Sequence, residues 1–230
     1  THGSESISSP GFSPDGKWLV VNSLRLDRVD LYQIEKENFK LIKRVPTSKM
    51  PSHMAFSADS KLVYITAQGS DELNVVDLQT QTLLWKMPIG ETPAGIWRTP
   101  EGLLLAGIMG SDYVAVIDPI KRAVIKKIQT GKGAHALRGV GDGRRVYVSN
   151  READTISVVD MQSLEKLYDL PAPGGPDCME VTADGKQLWV TSRWAKKLTV
   201  IDITQRKVVA QYPVGRSPHG VYFHNRAAWK

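Results

Sequence analysis

Three observations predict an all-β chain, a β-propeller of four-stranded antiparallel blades. Similar leading segments recur at Pro51-Ser52-His53, Pro93-Ala94-Gly95, Ala134-His135-Ala136, Pro176-Asp177-Cys178 and Pro218-His219-Gly220, in steps of 42, 41, 42 and 42 residues. A turn follows each of the first four starts: Asp59-Ser60, Glu101-Gly102, Asp142-Gly143 and Asp184-Gly185, with Asp15-Gly16 in the first unit. Two apolar runs come next, the second ending in aspartate at Asp77, Asp118, Asp160 and Asp202. A period near 42 with four short extended runs per unit is the pattern of propeller blades. Neighbouring blades bury one another's faces, so repetition overrides the two-domain reading that 230 residues would allow. One domain, 1–230, is expected, with units at about 7–50, 51–92, 93–133, 134–175 and 176–217 and a partial sixth at 218–230.

Each unit divides into strands a to d. In the second, a runs from about Ser52 to Ser57, b from Leu62 to Ala67, c from Leu73 to Leu78 and d from Leu83 to Pro88. The links are short and rich in turn residues, as antiparallel meanders require. Asp77-Leu78-Gln79-Thr80, Asp118-Pro119-Ile120-Lys121 and Asp202-Ile203-Thr204-Gln205 form the c–d hairpins, where an aspartate accepts backbone N–H bonds. Apolar residues alternate or run in fours and fives, which excludes an amphipathic helix of useful length. Trp18, Trp85, Trp97 and Trp189 fall within or beside strands and are expected in the core.

No apolar run approaches the roughly 18 residues needed to cross a bilayer. With one cysteine, Cys178, an intrachain disulfide is excluded, and a buried inert thiol is its plainest role. The net charge of +6 favours anionic partners, nucleic acid among them, although the basic residues are spread through every unit as on a solvated outer surface. Phosphate-cradling glycine loops, nucleophile elbows, paired zinc cysteines and calcium loops are all absent from the sequence.

Tyr147-Val148-Ser149-Asn150 followed by Ile156-Ser157-Val158-Val159-Asp160 resembles the YVTN-type β-propeller repeat. So do Tyr64-Ile65-Thr66-Ala67, Trp189-Val190-Thr191-Ser192, Phe12-Ser13-Pro14-Asp15-Gly16 and Val214 to Val221; the likeness spans 7–223. The third unit departs most, with Leu105-Ala106-Gly107-Ile108 in the signature position. The resemblance implies the fold and a bacterial periplasmic or cell-surface location. It leaves function open, since such propellers include lactonase-like enzymes, haem d1-associated proteins, surface proteins and DNA-binding periplasmic proteins. Five full units and one sixth leading strand, Pro218 to Phe223, fit a piece of a seven-bladed ring. A five-bladed ring with an extra strand is the rival.

In a propeller the d–a and b–c links share one face, and candidate chemistry is sought there. His135, Asp177 and His219 hold equivalent places at the start of strand a in three successive units. Two imidazoles and a carboxylate suit a divalent metal in the central channel; the same imidazoles also suit a turn role, bonding a nearby carbonyl. His53 stands one position later. The b–c loops bring Arg25, Arg151, Arg193 and Trp194 to the same face, a set suited to gripping an anion and stacking on a ring. The leading expectation is a non-enzymatic platform that binds an anionic small molecule, polymer or protein through Arg151, Arg193, Trp194, His53 and Arg25. The alternatives are a metal-dependent lactonase-like hydrolase with Glu180 as general base, and an accessory protein holding a haem-type cofactor over the channel histidines.

Overall fold

The computed structural model describes residues 7–36 and 38–226. Its strands form five four-stranded antiparallel sheets, each a meander in chain order. The first holds β1 (Ile7–Phe12), β2 (Trp18–Ser23), β3 (Arg28–Glu35) and β4 (Asn38–Pro46); the second β5 (Pro51–Phe56), β6 (Leu62–Ala67), β7 (Glu72–Asp77) and β8 (Thr82–Pro88). The third holds β9 (Pro93–Arg98), β10 (Leu104–Ile108), β11 (Tyr113–Asp118) and β12 (Ala123–Gln129). The fourth contains β13 (Ala134–Gly139), β14 (Arg145–Asn150), β15 (Thr155–Asp160) and β16 (Glu165–Pro171), and the fifth β17 (Pro176–Val181), β18 (Gln187–Ser192), β19 (Lys197–Asp202) and β20 (Lys207–Pro213). The strand boundaries expected for the second unit fall within one residue of these. The one helical element among the described residues is a 3-10 turn, Leu24–Leu26.

Residues up to Ala106 with 117–124 make one compact unit, and 107–116 with 125 onward make another. In the first, Val20, Val29, Leu31, Val63, Ile65 and Val76 form a core between two sheets. In the second, Tyr147, Ile156, Val158, Leu170, Met179, Leu188 and Val190 do the same. Burying each such side chain is worth about 1.5–3 kcal/mol. The middle strands are covered on both faces, so β6 and β14 bury nearly every residue, which explains their unbroken apolar runs. The last strand of each sheet is an edge: β8 alternates exposed and half-buried residues.

Turn chemistry follows the repeat. Ser13, Ser57 and Thr182 each donate a hydroxyl to the aspartate two residues on, at 2.6 Å in all three cases. Asp77 accepts the backbone N–H groups of Gln79 and Thr80, and Asp118 those of Ile120 and Lys121, as expected for the c–d hairpins.

Two expectations are corrected. Trp18, Trp85, Trp97 and Trp189 are half-buried, not core residues. The fully buried cores are mostly aliphatic; Trp18 packs against the first of them while half-buried, and Trp85 carries Arg122 5.2 Å above its ring. Pro218 to Phe223 is not a strand. A strand needs a ladder partner, and this segment has no second strand of its own among the described residues. It lies along the fifth sheet: Thr191 Oγ1 donates to the His219 carbonyl at 2.7 Å, Phe223 meets Trp189 edge-on at 5.5 Å, and Arg226 bridges Thr182.

Candidate functional site

The site begins with a backbone irregularity. Pro176 pairs with Ser192 and Met179 with Val190, so Asp177 and Cys178 together oppose the single residue Thr191. The same two-against-one bulge sets Ser52 and His53 against Thr66, and His135 and Ala136 against Ser149. A bulge leaves one amide without its ladder partner and re-aims the side chains beside it. The hydroxyl opposite supplies the missing acceptor: Thr66, Ser149 and Thr191 take the N–H groups of His53, Ala136 and Cys178 at 3.2, 2.9 and 3.1 Å. Thr66 and Thr191 then donate to the leading segment that follows, at the Ala94 and His219 carbonyls. Gly107 holds this position in the third unit, because a Cβ there would meet the His135 carbonyl oxygen at 2.8 Å.

Asp177 is fully buried and gathers cationic partners. Its Oδ2 accepts from Arg151 Nη2 at 2.7 Å and Arg193 Nη1 at 3.1 Å. Its Oδ1 faces His135 Nδ1 at 3.3 Å, Cys178 Sγ at 3.7 Å and His219 Nε2 at 3.9 Å. Burial, reinforced by the Asp177 carboxylate, pushes the Cys178 thiol up to about 12, so it is protonated and a poor nucleophile at neutral pH. Two guanidiniums on one carboxylate leave the group cationic. Arg193 is 38% exposed, and Arg151 Nε is buried without a hydrogen-bond partner among the described residues.

Trp194 stands next to this group, 58% exposed. Its indole lies against Gly175, where φ is +72° and an added Cβ would come within 2.5 Å of the ring. Asp154 fixes that turn by accepting the N–H groups of Gly174 and Gly175 at 3.0 and 2.8 Å. The Trp194 and Ala195 amides donate to the Gly174 carbonyl, which ties the two loops together. The ring is thus set on a rigid backbone shelf.

Glu180, also fully buried, belongs to a separate cluster. Arg226 Nη1 reaches its Oε2 at 3.0 Å, Arg138 Nε lies 3.7 Å from its Oε1, and the Val181 amide donates to it at 3.1 Å. Arg138 in turn donates to the Met179 carbonyl, and its pKa is lowered by burial, partly offset by Glu180. A carboxylate so occupied is a structural anion.

The model of the YNCE-like β-propeller family matches residues 7–229. The chain belongs to that family. Among curated proteins, NirF of Pseudomonas aeruginosa is 24% identical over 173 residues, covering 70% of this chain and 44% of NirF. An uncharacterised protein of Staphylococcus epidermidis is 24% identical over 151 residues, 65% of this chain and 35% of that protein. The chain therefore spans less than half the length of these curated relatives. Two solved structures share the fold. A functionally unknown protein from Desulfotomaculum acetoxidans superposes with a TM-score of 0.78 at 15% identity, covering 100% of this chain and 75% of that one. Hydrazine synthase of Kuenenia stuttgartiensis gives 0.67 at 18% identity, covering 95% and 90%.

On this YNCE-like scaffold most of the expected residues lie in the second compact unit. His135, Asp177 and His219 converge, with Asp177 between the two imidazoles. Arg151, Arg193 and Trp194 adjoin the same point, but both arginines are engaged by Asp177 itself. His53 and Arg25 belong to the first compact unit. There His53 Nδ1 lies 2.9 Å from Ser52 Oγ, and Arg25 is exposed on the 3-10 turn. Cys178 adjoins Asp177, as their neighbouring places in the sequence imply, and Arg138, which the sequence did not single out, belongs to the Glu180 cluster. Residues 177 and 178 share one bulge.

Proposed function

We propose that this YNCE-like propeller is a non-enzymatic binding platform, and that the Arg151, Arg193 and Trp194 face takes an anionic ligand. One observation carries the reading: two guanidiniums share one carboxylate oxygen, so the cluster retains positive charge and unused N–H donors. Trp194 offers a supported ring face alongside. The ligand's size, whether small molecule, polymer or protein segment, follows from what satisfies those donors. Hydrolysis has less support, because Glu180 is committed to two arginines and is not placed to activate water. The family resemblance supports a bacterial periplasmic or cell-surface setting, which fractionation of the native host checks. No helix among the described residues is long and apolar enough to cross a membrane.

Calorimetric titration with inorganic phosphate, benzoate and polyphosphate tests the reading. Binding of at least one probe is expected, weakening as salt rises from about 50 to about 500 mM. Arg193→Ala should weaken it about tenfold, or about 1.4 kcal/mol. Arg193 is the variant of choice because its partial exposure spares the fold. Absence of binding to all three probes, or binding indifferent to both salt and Arg193, overturns the proposal.

A further inference from the structure

We propose that Asp177, His135, Cys178 and His219 form a metal site for a thiophilic closed-shell cation, Zn(II) or Cu(I). It uses the other oxygen of Asp177 from the one that holds the arginines, and it does not rest on the anion reading. The geometry is the argument. Zinc bonds of about 2.0–2.1 Å to nitrogen or oxygen and about 2.3 Å to sulfur place neighbouring donors of a tetrahedron roughly 3.3–3.7 Å apart. Around Asp177 Oδ1 the donors stand at 3.3 Å (His135 Nδ1), 3.7 Å (Cys178 Sγ) and 3.9 Å (His219 Nε2), and Cys178 Sγ is 3.9 Å from His219 Nε2. Each of these four separations comes within about half an ångström of its tetrahedral value, so Asp177, Cys178 and His219 are three mutually close donors and His135 approaches through Asp177 Oδ1.

The donor types set the class of metal. Two imidazoles, a thiol and one carboxylate oxygen favour a soft or borderline cation over magnesium or calcium, which take oxygen donors. On binding, the cation replaces the thiol proton, which is released to solvent. The surroundings supply the second layer that such sites use: Arg151 and Arg193 hold the opposite carboxylate oxygen and fix its orientation. The Thr191 hydroxyl holds the backbone of Cys178 on one side and of His219 on the other, which sets their side chains next to one another. The nearby guanidiniums make a monovalent cation electrostatically cheaper than a divalent one, so the two metals are separate arms of the test.

The full chain, purified without chelator, is titrated anaerobically with Zn(II) and with Cu(I), and Co(II) serves as a spectroscopic probe. One equivalent of Zn(II) or Cu(I) should bind, and whichever arm saturates names the metal. Co(II) should give a near-ultraviolet thiolate charge-transfer band that Cys178→Ser removes. His219→Ala, at a solvent-exposed position, should lower affinity at least about tenfold, the loss that even outer-layer partners of metal sites produce. Melting curves of the metal-free variants confirm that they are folded, and the buried His135 is left intact for that reason. The proposal is overturned if neither cation binds at one equivalent, if Cys178→Ser keeps the charge-transfer band, or if His219→Ala binds as tightly as the parent.

Discussion

Asp177 shows how one buried charge can set the character of a site. A carboxylate with no exposed surface persists only where partners replace its water, and Arg151 and Arg193 do so. Asp177→Ala should therefore lose about 3–5 kcal/mol, the cost of stranding buried partners, read as a lower urea midpoint with an unchanged slope. Arg193→Ala, with its half-exposed side chain, should lose under about 1 kcal/mol by the same measurement. An equal loss from both would place the stabilising contact elsewhere. The sequence showed Asp177 level with His135 and His219, because repeat spacing fixes equivalence. It did not show that the arginines turn inward onto Asp177, since that depends on how the Arg151 and Arg193 loops fold back onto Gly133 and Gly175.

At the level of the element, the recurrent bulge explains what the signature stretch is for. Its third residue, Thr66, Ser149 or Thr191, satisfies the amide that the bulge leaves without a ladder partner. Thr191→Val should cost about 1–3 kcal/mol, the penalty for an unmade buried bond, and speed proteolysis after Arg216 by releasing His219. Gly107→Ala tests the exception: the added Cβ would press on the carbonyl oxygens of His135 and Ala134 at 2.8 and 2.9 Å, for a loss of about 1–3 kcal/mol. The departure of the third unit was visible in the sequence. Its cause was not, because it lies in the close approach of a neighbouring backbone.

The a–b turns give the pH dependence. Hydrogen bonds from Ser57 and Thr182 are the largest cause of the lowered pKa values of Asp59 and Asp184, below an ordinary value of 3.8. A carboxyl whose folded pKa is depressed stabilises the fold above its unfolded pKa and loses that contribution as the pH falls through the folded value. Removing the hydroxyls with Ser57→Ala and Thr182→Ala should raise both carboxyl pKa values. Urea stability near neutrality should then fall slightly, and the difference from the parent should shrink as the pH drops through the carboxyl pKa values, vanishing once both carboxyls are protonated. These turns were readable from Asp59-Ser60 and Asp184-Gly185 alone, since their chemistry is local.

Across the whole chain, the repeat made five sheets legible because each unit states its own turns and runs, and four of the five close the third strand on an aspartate. The C-terminal segment misled for an instructive reason: Pro218-His219-Gly220 carries the pattern of a leading strand, and strand formation depends on partners that pattern cannot supply. A second local signal accompanies this. Asp71, Asp112 and Asp154 sit in the left-handed region and cap the following loop through Thr92, Gly133 and Gly174, whereas Lys196 holds the equivalent place in the fifth sheet. Lysine has no acceptor to offer the loop that leads to Pro218. The segment is instead held from the side, by Thr191, by Trp189 against Phe223, and by Arg226 on the buried Glu180. Hydrogen exchange should then show a gradient repeated in every sheet, slow in the second and third strands and fast in the fourth, whose residues are mostly exposed or half-buried. Arg226→Ala should quicken exchange in β17 and β18 while leaving β13 and β14 slow, because Glu180 then keeps Arg138 as its one guanidinium partner among the described residues. Uniform acceleration across the fourth and fifth sheets would instead mean that the segment stabilises the second compact unit as a block, and that its contacts with the fifth sheet are not where its stabilisation resides.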